Sequence, residues 1–226
     1  MIDRLLPATT ASAWAREDLT DTRLFPEEEA ALGDAVDRRR REYTTVRACA
    51  RRALAQLGLD PAPVVPGHRG APRWPDGVVG SMTHCAGYRA AAVARATDIA
   101  AVGIDAEPHQ ALPDGVLDVV ARPEERSWIA GADSGSGVCW DRLLFGAKEA
   151  VFKVWYPLTG RELDFEEASV TFDPRERTPG YVSGVFAARL LVPGPRRLTE
   201  LTGRWMVGGG LSLAVVVLPA PAPGPG

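Results

Sequence analysis

The segment WDRLLFGAKEAVFKVWY, residues 140–156, constrains this chain more than any other. On a helical wheel turning roughly 100° per residue, Leu143, Leu144, Ala147, Ala150, Val151, Val154 and Trp155 fill one broad side, and Phe145 and Phe152 widen it. A helix this apolar has to be covered on more than one face. Arg142, Glu149 and Lys153, at spacings of seven and four, make a narrow polar stripe, while Lys148 projects between Phe152 and Trp155 at the edge of the apolar arc. Two readings are open. Glu149 and Lys153 form a solvated i,i+4 pair worth about 0.2–0.5 kcal/mol, with the Lys148 ammonium reaching out to water. Alternatively, the stripe of a nearly buried helix faces a cleft, where charges need partners or a ligand.

The surroundings of this helix predict an α+β protein. Residues 27–58 read as helical in two stretches: EEEAALGDAVDRRRREY, with acids early and basics late, and TTVRACARRALAQLG, which ends at Gly58 before Pro61 and Pro63. PVVPGHRGAPRWPDG follows as a Gly/Pro-marked loop. Strands are expected at 78–84, 88–94 and 100–107, and a short helix around PEERSWI. GADSGSG is expected to be a mobile loop. SVTF, YVSGVFAARLLV, GRWMV and LSLAVVVL are expected as an antiparallel sheet, and PAPAPGPG as a disordered tail. The order suggests two α+β halves meeting near residue 108: 1–108, 109–218, and the tail 219–226.

Composition excludes several classes. A net charge of −3 and a pI near 5.7 do not suit a general nucleic-acid binder or a basic membrane-surface protein. Cys49, Cys85 and Cys139 are odd in number and contain no CxxC pair, against both a disulfide framework and a structural zinc site. The N-terminus lacks an apolar signal core, and the longest apolar run, LSLAVVVL, is too short to cross a bilayer. The expectation is a reduced, cytoplasmic protein.

Three groups of residues carry chemistry. In VGIDAE, Asp105 and Glu107 fall on one side of a strand, because side chains alternate with period two. Adjacent acids are stable together when solvated, or when a hard cation such as Mg²⁺ lies between them; Glu149 would complete an oxygen set of three. GSMTHC ends a strand with Ser81, Thr83 and His84, where polar groups can converge on an anion or simply satisfy the structure. Arg38–Arg41, Arg47, Arg51 and Arg52 are ordinary helix arginines, or a bidentate grip on phosphate, and Arg69 lies between glycines that admit a ligand. Neither a P-loop nor GxGxxG is present.

Taken in order, RREYTTVRACARRAL, GHRGAPRWPDGVVGSMTHCAGYRAAAV, VGIDAEPH and WDRLLFGAKEAVFKVWYPLT resemble the broad-range 4′-phosphopantetheinyl transferases, and the actinobacterial members in particular. The resemblance covers about residues 38–160. GID-x-E followed by F-x-x-KE-x-x-x-K is its specific part. It implies a pseudo-two-fold α+β monomer, with two similar halves and the active site between them. It implies transfer of the 4′-phosphopantetheine arm of coenzyme A to a serine of apo acyl or peptidyl carrier proteins, in fatty-acid, polyketide or nonribosomal peptide synthesis, with release of 3′,5′-ADP. Asp105, Glu107 and Glu149 match the family's ligands for Mg²⁺, with Mn²⁺ as an alternative. Lys153 matches a phosphate contact, and Lys148 is expected to help position phosphate. Arg39, Arg47 and His84 match the 3′-phosphate and adenine side of CoA. Thr83 and Arg69 match loops lining the same cofactor, and Asp105 reaches its diphosphate through the cation. The helix arginines are also a candidate docking face for the carrier's acidic helix. Neither nucleic acid nor a membrane is an expected partner.

The chain departs from the pattern at Gly146, where relatives often carry Ser or Cys, and at Pro66, where they often carry a basic residue that proline cannot replace. Two competing functions use the same residues: a Mg²⁺-dependent hydrolase of CoA or nucleotide diphosphates, and a non-catalytic CoA-binding module. Three acids beside phosphate favour an enzyme over the latter.

Overall fold

A computed structural model describes residues 1–132, 134–195 and 198–221. The chain divides into two compact units, Met1–Val102 with Val217–Gly226, and Gly103–Val216.

In the first unit a three-stranded antiparallel sheet has the order β1 (Thr10–Ala15), β3 (Tyr88–Arg95), β2 (Val78–Cys85), and helix α2 (Asp37–Gln56) packs on it. The central β3 reads YRAAAVA without alternation because it is buried on both faces, from Tyr88 to Ala94. Its alanines let α2 approach closely. Cys49, Ala50, Ala53 and Leu54, at helical spacing, meet Ala91, Val93, Ala15 and Val64. Burial pushes the Cys49 thiol up to about 11, so it packs as a small apolar group.

Residues 27–58 hold two helices, as expected, but they divide at Gly33 and not between Tyr43 and Thr44. α1 (Pro26–Leu32) stops at Gly33, whose φ of 58° leaves the helical region, and α2 starts four residues later. Glu28 of α1 is fully buried and accepts from the backbone N–H of Phe25 (3.0 Å) and Val64 (2.9 Å) and from Arg51 (3.0 Å), tying α1, the following loop and α2 together. Strand β1 was not expected. TASAWA has small side chains instead of the β-branched residues that signal a strand, and pairing with β3 supplies what propensity does not.

Strand β4 (Ile99–Pro108) enters the second unit, whose five-stranded sheet has the order β4, β8 (Leu211–Pro219), β7 (Glu200–Gly208), β6 (Tyr181–Leu190), β5 (Ala168–Arg177). The last four strands are antiparallel neighbours, as expected. Short helices α3 (Val116–Val120) and α4 (Pro123–Gly131) precede α5 (Trp140–Thr159), which packs against β5, β6 and β7. Trp128, Trp140, Phe172, Phe186 and Trp205 form a connected aromatic cluster beneath its first turn. α5 continues to Thr159, with Pro157 in its last turn, and ends at Gly160 with φ 64°. Part of the expected mobile loop is held: Ser136 is buried and its Oγ accepts from the Trp140 indole N–H at 3.1 Å. Asp133 of that loop and 222–226 of the tail lie outside the described residues.

Candidate active site

The site residues of the second unit sit where β4 and α5 cross. Gly103 makes the crossing possible, since a Cβ there would lie 2.0 Å from the Ala150 carbonyl oxygen. One turn earlier on the helix, Gly146 lies over the strand's acids. A Cβ at that position would stand 3.2 Å from Asp105 Oδ2 and 4.0 Å from Glu107 Cγ, so its absence leaves a small cradle above both carboxylates.

Each strand acid is held by a cation of α5. Lys153 Nζ donates to Asp105 Oδ1 at 2.7 Å and to the Ile104 carbonyl at 3.0 Å. Arg142 Nη1 donates to Glu107 Oε2 at 2.9 Å. Asp105 is buried, and Glu107 and Glu149 are half-buried. Burial, and then the charge of Asp105, push the Glu107 carboxyl up, although Arg142 and Lys153 oppose them. Burial also raises Glu149, with Lys153 opposing and Asp105 adding to the rise. Beside Glu149 a cavity of about 250 Å³ is lined by Phe152, Leu163, Phe165, Lys148, Asp164 and Ala168, among others.

Within the stripe, Arg142 and Lys153 therefore hold the strand acids, and Glu149 lies half-buried beside the cavity. Among the described residues, however, no three His, Cys, Asp or Glu side chains stand ready as a metal cage. The donor set nonetheless suits a hard divalent cation. It is all oxygen, it has three carboxylates against two cations, and Asp105 and Glu107 lie below the side-chain-free space at Gly146.

Comparison with known proteins bears on what this crossing belongs to. Residues 27–94 match the 4′-phosphopantetheinyl transferase N-terminal domain, and residues 101–189 match the 4′-phosphopantetheinyl transferase superfamily. The chain is 56% identical over 224 residues to the 4′-phosphopantetheinyl transferase Svp of Streptomyces mobaraensis, covering 96% of this chain and 88% of that protein. It is 47% identical to Npt of Nocardia iowensis (96% and 99% covered) and 46% identical to PptT of Mycobacterium tuberculosis (96% and 97% covered). The chain belongs to the 4′-phosphopantetheinyl transferase superfamily.

In this transferase the residues expected on the CoA side lie in the first unit. Arg39 Nη1 lies 3.0 Å from His84 Nε2, and His84 Nδ1 stands 3.8 Å from Glu42 Oε2. Arg47 is 8% exposed, lies 3.4 Å over the Tyr43 ring and donates to the Val64 carbonyl. Burial lowers its pKa, without threatening its charge. Thr83 is buried and His84 exposed, as alternation along β2 places them on opposite faces. Arg69 is exposed in the turn His68–Gly70 with φ 56°, the one described non-glycine residue with positive φ. Pro66 forms an isolated bridge with Pro72 in the same loop.

Lys148 corrects an expectation. Its ammonium, 3% exposed, spends its three donors on Glu125 Oε2 (2.7 Å), the Phe165 carbonyl (2.7 Å) and the Val120 carbonyl (2.9 Å). Burial lowers its pKa and Glu125 opposes the shift. The residue anchors α5 to α4 instead of reaching toward phosphate. Sequence reasoning missed Glu125, whose only signal was its place three residues into a helix opened by Arg122-Pro123. It missed also the role of Arg142, visible only as a member of the stripe.

No helix among the described residues is long and apolar enough to cross a membrane.

Proposed function

We propose that this transferase moves the 4′-phosphopantetheine arm of CoA onto the serine hydroxyl of apo acyl or peptidyl carrier proteins and releases 3′,5′-ADP. The Asp105–Lys153 contact at 2.7 Å, one turn along α5 from Glu149, carries the reading: an acid, a half-buried cation and a second acid lie close together. Asp105, Glu107 and Glu149 would hold Mg²⁺, or Mn²⁺ in its place, which supplies charge to polarise the CoA diphosphate.

Phosphoryl transfer asks for positioning and charge neutralisation more than for covalent help. Glu149, raised by burial, takes the proton from the carrier serine as its oxygen bonds to the β-phosphorus and the bond to the leaving 3′,5′-ADP breaks. Lys153, 26% exposed, leaves Asp105 to neutralise the departing phosphate oxygens. The cavity beside Glu149 gives the transferred arm a place to lie. Arg39, His84, Arg47, Arg69 and Thr83 hold the 3′-phosphate and adenine end, and the arginines of α2 offer a docking face to an acidic carrier helix. In this reading the protein works as a cytoplasmic monomer with neither nucleic acid nor membrane as partner, and residues 1–108 and 109–218 are its two halves.

The test is intact-mass spectrometry of an apo acyl carrier protein incubated with the transferase, CoA and Mg²⁺. The expected result is a gain of one phosphopantetheine arm, absent with Glu149→Ala. Cleavage of CoA with no mass gain on any carrier would replace transfer with hydrolysis.

A further inference from the structure

We infer that Arg142 is a positioning residue, which locks Glu107 so that a single oxygen, Oε1, faces the cation; the inference rests on the proposed reading of Glu107 as a cation ligand. The guanidinium makes three contacts at once. Nε donates to the Gln110 carbonyl at 3.0 Å, Nη2 to the Ala111 carbonyl at 2.9 Å, and Nη1 to Glu107 Oε2 at 2.9 Å. Its side chain is 10% exposed. A planar fork seated on two carbonyls cannot follow a departing phosphate, in contrast to a lysine at the end of a flexible stem.

The local geometry separates this task from plain structural support. The chain after β4 is already tied to the start of α5 by two other bonds: the Cys139 N–H donates to His109 Nε2 at 3.0 Å, and the Leu112 N–H donates to Asp141 Oδ2 at 2.7 Å. Holding residues 109–112 therefore does not depend on Arg142 alone. What Arg142 supplies beyond that tie is the hydrogen bond to Glu107 that fixes that carboxylate's orientation. Outer partners of this kind orient a ligand before the metal arrives, and losing one weakens metal affinity by about 10- to 100-fold.

The experiment is a Mn²⁺ titration followed by electron paramagnetic resonance, on the full chain with CoA present and no carrier. It compares the wild type with Arg142→Met, Arg142→Lys, Glu107→Gln and the double variant Arg142→Met/Glu107→Gln. Transfer assays run in parallel give kcat and the Mg²⁺ concentration for half activity. We expect Arg142→Met to weaken Mn²⁺ binding about tenfold and raise the Mg²⁺ requirement alike, with kcat at saturating Mg²⁺ falling less. Arg142→Lys, which keeps the charge and the fold but loses the fork, should fall between. Because Arg142 acts through Glu107, the double variant should bind Mn²⁺ no more weakly than Glu107→Gln. Unchanged Mn²⁺ affinity in both Arg142 variants, with Glu107→Gln weakened, would overturn the inference and leave the ligand reading standing. Additive losses in the double variant would overturn it too. Glu107→Gln without effect on Mn²⁺ would remove the ligand reading itself, and the inference with it.

Discussion

Lys148→Met is the sharpest test of how α5 is held. The substitution keeps the stem and deletes an ammonium that is paired with Glu125 at 2.7 Å, the two side chains being 2% and 3% exposed. Removing one partner of a buried pair leaves the other charge uncompensated and costs about 3–5 kcal/mol. Glu125 keeps two backbone donors, Val170 N–H at 2.7 Å and Arg122 N–H at 2.8 Å, which sets the expected loss near the lower figure, about 3 kcal/mol. The assay is urea unfolding followed by tryptophan fluorescence, since Trp140, Trp155 and Trp205 are all buried around α5. Adding Glu125→Gln removes the stranded charge while keeping an acceptor, and should recover about half of the loss. Transfer activity should fall with stability and return partly in the double variant. A Lys148→Met protein as stable as the wild type, yet unable to transfer, would refute the anchoring role and put the ammonium on phosphate after all.

Other consequences are as direct. Gly103→Ala should destabilise the protein by about 1–3 kcal/mol or more in a thermal melt, because the added carbon would meet the Ala150 carbonyl oxygen at 2.0 Å and backbone cannot easily yield; an unchanged melt would mean that β4 and α5 do not approach this closely. Glu149 has a raised carboxyl pKa, so its contribution to folding is fully present below the unfolded value and is lost as pH rises through the folded one. In metal-free buffer Glu149→Gln should therefore raise the melting temperature at pH 8 and leave it unchanged at pH 4, the reverse of its effect on transfer. Glu42 has the opposite sign: burial pushes it up, but the hydrogen bond from Arg38 and the charges of His84, Arg38 and Arg89 together hold it below the usual range. The stability it supplies is full above the unfolded value of about 4.3 and is lost as pH falls through the lower folded one. Glu42→Gln should flatten that part of the melting curve, and an unaltered acid limb would remove Glu42 from it.

Much of this was legible because single residues carry a strong local signal. The apolar girth of 140–156 announced a buried helix, and Asp105 and Glu107 two apart on a strand announced a shared side. What stayed hidden depends on partners distant in sequence. Nothing around Lys148 distinguishes an ammonium facing phosphate from one capped by Glu125, 23 residues earlier, and two carbonyls. Strand β1 escaped because TASAWA is stabilised by its pairing with β3 and not by its own propensity. The break at Gly33 was visible as a residue but not as a positive φ, since glycine within a helical pattern is often tolerated.

The crossing of β4 and α5 also explains why the strand and helix motifs have meaning only together. A strand that turned Asp105 and Glu107 into a dry crossing with no cation would pay heavily for two like charges, so the helix must bring positive groups wherever the strand brings acids. Lys153 and Arg142 do so at 2.7 and 2.9 Å, eleven positions apart on the helix and each opposite one acid. The two pairs then differ in one physical respect, which is anchorage. Lys153 has one carbonyl and 26% exposure, while Arg142 has two carbonyls and 10%. On the proposed reading, Lys153 would be the group able to leave Asp105 for phosphate if a cation were bound there, whereas Arg142 would stay with Glu107. The folded chain thus sets a positive group of its own on each strand acid, and the two differ in how firmly they are anchored.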